Sequence, residues 1–104
     1  MCLKNQKETN DLKILQTAQA GSLESQDILI TIKKGKAGSG IDIDLESPST
    51  VQYGRKIREE IESVVKKYAI EDIAIQAIDK GALGFTIKAR TETALNRAIQ
   101  KEEQ

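Results

Sequence analysis

The hexapeptide Ile28-Leu29-Ile30-Thr31-Ile32-Lys33 determines the fold class of this chain. Isoleucines at every second position are typical of a β-strand that buries one of its two faces. The same period of two recurs at residues 41–46, 73–78 and 85–90, and a shorter run with poorer alternation lies at residues 12–17. We therefore expect these runs to form the strands of one sheet.

A long helix is expected between the runs at 41–46 and 73–78. Pro48 favours a first helical turn, and either Ser47 or Ser49 can cap it. Residues on one stripe then follow at spacings of three and four, as in a helix that buries one face: Gly54, Ile57, Ile61, Val64, Val65 and Tyr68. The opposite face, expected to be solvated, carries charged side chains: Arg55, Lys56, Arg58, Glu59, Glu60, Glu62 and Lys66.

The turn sequence Asp79-Lys80-Gly81 predicts that residues 73–78 and 85–90 pair as an antiparallel hairpin. Thr91 or Thr93 would then cap a last helix, and the residues expected to face inward from it are Ala94, Leu95, Ala98 and Ile99.

The element order β-β-β-α-β-β-α predicts an α+β fold. We expect a two-layer sandwich, with a mostly antiparallel sheet and two helices on one face. Residues 12–104 are expected to form a single domain. Residues 1–11 are mostly polar and lack periodicity, so they are predicted to be a disordered leader.

Two charged segments invite a ligand-binding interpretation and do not support one. Lys33-Lys34-Gly35-Lys36-Ala37-Gly38-Ser39-Gly40 combines lysines with glycines but lacks the spacing of a phosphate-binding loop. A hairpin loop between two strands is the better prediction. Asp42, Asp44 and Glu46 would share one strand face about 7 Å apart. That separation favours a solvated face over a calcium site or a catalytic carboxylate pair.

The composition restricts the function further. The 104 residues include 16 basic and 16 acidic side chains, and this neutral balance argues against a general nucleic-acid or membrane-surface binder. The absence of histidine removes the usual general base and the commonest metal ligand. The lone cysteine, Cys2, cannot form an internal disulfide. Without an apolar run near 20 residues or a signal-peptide pattern, we expect a soluble cytoplasmic protein.

Residues 18–27, Ala-Gln-Ala-Gly-Ser-Leu-Glu-Ser-Gln-Asp, have the composition of an exposed turn. Gly21 permits a positive φ, and serine or aspartate side chains can bond their own backbone. Ser22 and Ser25 would both present hydroxyl groups to water. The residues alone do not distinguish these two serines.

This turn and the strand after it resemble the N-terminal segment of the citrate lyase acyl carrier proteins, the gamma subunits of that enzyme. Two later segments resemble the same family in register, so the likeness extends over roughly residues 14–98: Val51-Gln52-Tyr53-Gly54-Arg55-Lys56-Ile57-Arg58, and Asp79-Lys80-Gly81-Ala82-Leu83 with Thr86-Ile87-Lys88-Ala89-Arg90. The chain departs from the family pattern at Ile78, Gly84 and Phe85.

The resemblance implies a carrier subunit without catalytic residues of its own. In that family the serine after the leucine–glutamate pair, here Ser25, carries 2'-(5''-phosphoribosyl)-3'-dephospho-CoA through a phosphodiester. The terminal thiol of this arm holds acetyl and citryl thioesters. The implied partners are the alpha (transferase) and beta (lyase) subunits and a prosthetic-group transferase, and the implied process is citrate fermentation.

Two alternatives remain open from the sequence. The carrier subunit of malonate decarboxylase uses the same prosthetic group and is the nearer one. The other is a small interaction or nucleic-acid-binding domain that would use Lys33, Lys34 and Lys36; salt-sensitive RNA binding would favour it.

Overall fold

The computed structural model describes residues 13–48 and 50–99. The expected leader, residues 1–11, lies outside these ranges, as do Leu12, Ser49 and residues 100–104. The elements in chain order are β1 (Ala18–Gly21), β2 (Ile28–Lys34), β3 (Ile41–Glu46), α1 (Thr50–Lys67), β4 (Ile73–Asp79) and α2 (Gly84–Ile99).

The four strands form one sheet in the order β1-β2-β4-β3. The β1–β2 and β2–β4 pairs are antiparallel, whereas β3 runs parallel to β4. The register aligns Ile32, Ile75 and Ile43 across three neighbouring strands. The prediction of an α+β fold with a mostly antiparallel sheet is therefore confirmed.

The core lies between one sheet face and the two helices. Ile28, Ile30 and Ile32 are fully buried on this face, and Ile61 of α1 and Leu95 of α2 are fully buried against it. The opposite face carries polar side chains: Gln19 donates to the Thr31 hydroxyl over 2.9 Å, and Asp42 and Asp44 are exposed. The strand period at β2, β3 and β4 and the α1 stripe are thus confirmed, because both send their apolar positions into this single layer.

The loop between β2 and β3 is not the hairpin loop that the sequence predicts, because β4 lies between those two strands. The loop crosses the start of β4 instead. A Cβ on Gly35 would lie 2.7 Å from the backbone nitrogen of Ile73, so only glycine fits this crossing. The Asp72 side chain then accepts from the backbone N–H of Gly40 over 3.0 Å.

The strand predicted at 85–90 is wrong, since these residues belong to helix α2. Alternation at Phe85, Ile87 and Ala89 matched a strand, yet Phe85 is 73% exposed and Ile87 is buried. The burial instead follows a helical spacing that includes later residues: Ile87, Thr91, Ala94, Leu95 and Ala98. The expected β-hairpin after Asp79 is consequently absent from the described chain.

The predicted caps of the last helix are also wrong. Thr91 and Thr93 lie inside α2, and their hydroxyls donate to the carbonyls of Ile87 and Ala89 over 2.8 and 3.0 Å. The helix begins where the Leu83 carbonyl accepts from the N–H groups of Thr86 and Ile87. A threonine hydroxyl that donates to the carbonyl four residues earlier belongs to the interior of a helix and does not cap its start.

The first strand is displaced from its predicted position at 12–17. Residues 13–17 form no strand, and β1 covers Ala18–Gly21, inside the stretch expected to be a turn. The N–H groups of Leu15 and Gln16 donate to the Ala98 carbonyl over 2.9 and 3.1 Å. This segment therefore docks on the end of α2.

Candidate functional site

The β1–β2 connection, residues 22–27, carries the two candidate serines. Gly21 ends β1 with a φ of 101°, and a Cβ at this position would overlap the carbonyl oxygen of Ile28. Glycine is therefore required for the chain to turn so closely onto the start of β2.

Asp27 anchors the end of this turn. Its carboxylate accepts from the Ser22 hydroxyl over 2.7 Å, from the Ile28 N–H over 2.7 Å, and from Arg90 of α2 over 2.9 and 3.2 Å. Hydrogen bonds from Arg90 and then Ser22 favour the charged carboxylate and lower the pKa of Asp27 from 3.8 to about 2. Asp27 is consequently ionised at neutral pH and serves to position the turn.

The two serines differ in their contacts. The Ser22 hydroxyl donates to Asp27 and accepts from the Glu24 N–H over 3.1 Å, so both its proton and a lone pair are engaged. Ser25 is exposed, and its side chain forms no hydrogen bond with residues 13–48 and 50–99. A distinction that the residue types left open therefore has a structural basis: only the Ser25 oxygen is presented freely to an incoming reagent.

The segment after β4 supports the Ser25 turn from the side. The Gln26 N–H donates to the Lys80 carbonyl over 2.7 Å, and the Lys80 N–H donates to the Asp27 carbonyl over 2.9 Å. Gln26 has a φ of 67°, an uncommon conformation for a residue with a side chain. These backbone bonds hold the residues on the carboxyl side of Ser25 while its own side chain stays exposed.

An open groove of about 390 Å³ begins beside this turn, between α1, α2 and the β4–α2 connection. Its lining is mainly apolar, with Tyr53, Ile57, Leu83 and Ile87 among the side chains. Tyr53 is 55% and Leu83 61% exposed. The groove is not predicted from the sequence, because residues 85–90, which contain Ile87 of its lining, were expected to form a strand.

Glu60 also lines the groove, which corrects its predicted position on the solvated face of α1. Its side chain is only 14% exposed and is paired with Lys56 and Lys88, at 3.6 and 3.3 Å. Lys88 belongs to α2, so the ion pair links the two helices across the groove. The helical period alone places Glu60 at the boundary of the α1 stripe, and α2 covers it.

The described residues contain no cluster of three or more histidine, cysteine or acidic side chains that could hold a metal ion. Across residues 13–48 and 50–99, no helix has the length and apolar character needed to cross a membrane.

Comparison with known proteins identifies relatives over most of the chain. The protein-family model described as the malonate decarboxylase delta subunit matches residues 15–98. The citrate lyase acyl carrier protein of Streptococcus uberis is 52% identical over 87 residues, which is 84% of each chain. That of Streptococcus mutans is 47% identical over 91 residues, or 88% of each chain.

Among solved structures, a chain in the crystal structure of a Pseudomonas malonate decarboxylase hetero-tetramer in complex with malonate is similar in fold. The TM-score is 0.69 at 16% identity, and the match covers 84% of this chain and 88% of that chain. At this identity the likeness concerns the fold alone.

Proposed function

Because the chain belongs to the citrate lyase acyl carrier protein family, we propose that it is the acyl carrier (gamma) subunit of a citrate lyase, with its prosthetic group on Ser25. The observation that carries the assignment to this residue is the contrast between the two turn serines. Ser22 is committed to Asp27 on one side and to the Glu24 N–H on the other. Ser25 is exposed and unbonded within the described chain.

The residues fit a covalently attached arm such as 2'-(5''-phosphoribosyl)-3'-dephospho-CoA. Attachment requires a hydroxyl that a separate prosthetic-group transferase can reach, and an exposed loop between two strands provides that access. The Ser25 oxygen would form the ester bond to phosphorus, while the leaving group departs from the activated donor and the proton passes to the transferase. No residue of this chain is needed as a base.

The role of the chain itself is to hold the arm and to present it to the partner subunits. When bound, the arm supplies a thiol for the thioester chemistry that links the alpha (transferase) and beta (lyase) subunits. The hydrogen bonds that Arg90 donates to Asp27 and that the Gln26 N–H donates to the Lys80 carbonyl tie the attachment point to α2 and to the end of β4. A tether on a rigid domain raises the local concentration of its end at the partner sites. We place this single carrier domain, residues 12–104, in the cytoplasm of a citrate-fermenting cell.

A carrier role in malonate decarboxylase is the second candidate, favoured by the family match over residues 15–98. We rank citrate lyase first because the curated relatives at 52% and 47% identity carry that name. Reconstitution with purified citrate lyase alpha and beta subunits, beside malonate decarboxylase subunits, would distinguish the two.

The test of the site is peptide mass spectrometry after co-expression with the attachment enzymes. Ser25→Ala should carry no adduct, and Ser22→Ala should still be modified. An adduct that persists on Ser25→Ala, or disappears only on Ser22→Ala, would contradict the assignment.

The modified, acetylated chain without partners should neither cleave citrate nor exchange acetate, and sustained oxaloacetate production by it would contradict a carrier role.

A further inference from the structure

The groove beside the serine turn is an apolar surface that the described fold leaves without a partner. Leu83 and Tyr53 stand at its rim with more than half of their surfaces exposed, and Ile57 and Ile87 form its floor with 5% and 2% exposure. A mainly apolar cleft of about 390 Å³ falls in the size range of small-ligand sites. Its position and its charges indicate which chemical group it binds.

The position of the groove relative to Ser25 indicates the occupant. Gln26, the residue after Ser25, lies against Gly81, where a Cβ would be 4.0 Å from the Gln26 Cα. Gly81 is also the first residue of the connection that lines the groove up to Gly84. Along α1 the lining extends from Tyr53 to Glu60, about 10 Å at 1.5 Å per residue. A long flexible arm on Ser25 can therefore extend along the full length of the groove.

The charges of the groove select one end of such an arm. The charged side chains in its lining are two carboxylates, Glu60 and Asp79, and one lysine, Lys56, so the lining offers a diphosphate no net attraction. Asp79 accepts from the Ala82 N–H and the Ser47 hydroxyl, both over 2.9 Å, while Glu60 is paired with Lys56 and Lys88. The remaining surface is mainly apolar and suits an uncharged chain of methylene and amide groups ending in a thiol.

We propose that this groove holds the uncharged, thiol-bearing end of the arm attached to Ser25 when the carrier is away from its partner subunits. The inference rests on the proposed function, because it needs the arm on Ser25. A covalent tether gives its end an effective concentration in the millimolar range, so a groove with only millimolar intrinsic affinity would be occupied about half the time. Shallow, open binding of this strength still lets a partner subunit withdraw the arm.

The first experiment compares backbone amide NMR spectra of the full chain without and with the arm, after intact mass has confirmed modification. We expect shifts at Leu83, Gly84 and Ile57 as well as in the turn at residues 22–27. Shifts confined to the turn would overturn the proposal. Shifts at the groove that appear in the unmodified chain as its concentration rises would identify a self-association surface and would also overturn it.

The second experiment measures how fast the arm thiol of the modified full chain reacts with a water-soluble disulfide reagent. Leu83→Gln and Tyr53→Gln should raise this rate by up to about twofold, because the reactive, undocked fraction increases from about one half towards one. Phe85→Gln is the matched control: Phe85 is 73% exposed near the same helix start but does not line the groove. The arm thiol of the modified Phe85→Gln chain should react at the wild-type rate.

The experiments distinguish failure of the groove proposal from failure of the attachment at Ser25. An adduct on Ser25 combined with unchanged thiol reactivity in Leu83→Gln and Tyr53→Gln would leave the carrier function in place and overturn the groove proposal. The same result with weakened binding to an alpha or beta subunit would assign the groove to partner docking instead. The absence of any adduct on Ser25 would overturn both.

Discussion

Arg90 donates two hydrogen bonds to the Asp27 carboxylate, from Nε to Oδ1 over 2.9 Å and from Nη2 to Oδ2 over 3.2 Å. The two residues are 63 positions apart in the sequence. This bidentate arrangement matches the planar guanidinium to the planar carboxylate. It joins the end of the Ser25 turn to the middle of α2. The attachment loop is therefore held in a defined orientation although its serine remains exposed.

The Asp27–Arg90 pair predicts a specific loss of stability in acid. The folded-state pKa of Asp27 is about 2, below the ordinary value of 3.8. Its contribution is therefore fully present above about pH 4 and is lost progressively as the pH falls towards about 2. In urea titrations, the wild-type chain should lose more unfolding free energy across this window than Asp27→Asn.

Arg90→Gln should flatten the pH dependence in the same window, since Arg90 is the largest cause of the depressed pKa. Arg55→Gln is the control, because it removes the same charge from an exposed position on α1. A wild-type profile in Arg90→Gln would show that the pair does not stabilise the turn.

The two turn serines should differ in stability as well as in modification. Ser22→Ala removes a hydrogen bond to the ionised Asp27 and should lower the unfolding free energy by about 1–2 kcal/mol. Ser25→Ala deletes an exposed, unbonded oxygen and should change it by less than about 0.5 kcal/mol. Chemical denaturation of the unmodified chains measures both, and equal losses would contradict the contacts described for Ser22.

Gly21→Ala should destabilise the chain by more than about 2 kcal/mol, because a Cβ would meet the Ile28 carbonyl oxygen at a positive φ. Gly38→Ala is a matched control. Gly38 has a φ of 83° with nothing within 4 Å of a built Cβ, so only the conformational strain, about 1 kcal/mol, applies. Thermal or urea unfolding of both variants tests this, and equal losses would rule out the steric part.

Ile61→Ala should cost about 2–5 kcal/mol, since the side chain is 0% exposed between α1 and the sheet. Glu59 is exposed on the same helix, and Glu59→Ala should cost less than about 0.5 kcal/mol. Glu60 is unsuitable as a surface control because α2 and two lysines cover it. Comparable losses from Ile61→Ala and Glu59→Ala would contradict the orientation of α1.

Local periodicity was sufficient where a segment buries one continuous face. The runs at β2, β3 and β4 and the stripe of α1 each repeat their apolar positions with the period of the element they form. It failed at 85–90, where three alternating apolar residues are too few to separate a strand from a helix. Burial of Thr91, Ala94 and Leu95 against the sheet and α1 decided for the helix.

The amino-acid sequence by itself determined the buried faces of β2, β3, β4 and α1, and it showed that Gly21 permits a positive φ. It also carries the resemblance that selects Ser25. Only the tertiary structure decided that β4 lies between β2 and β3, that Asp27 meets Arg90, and that Glu60 lines a groove between two helices. These relationships join residues far apart in the chain. Their geometry depends on how whole elements pack, and a pattern of neighbouring residues carries no record of it.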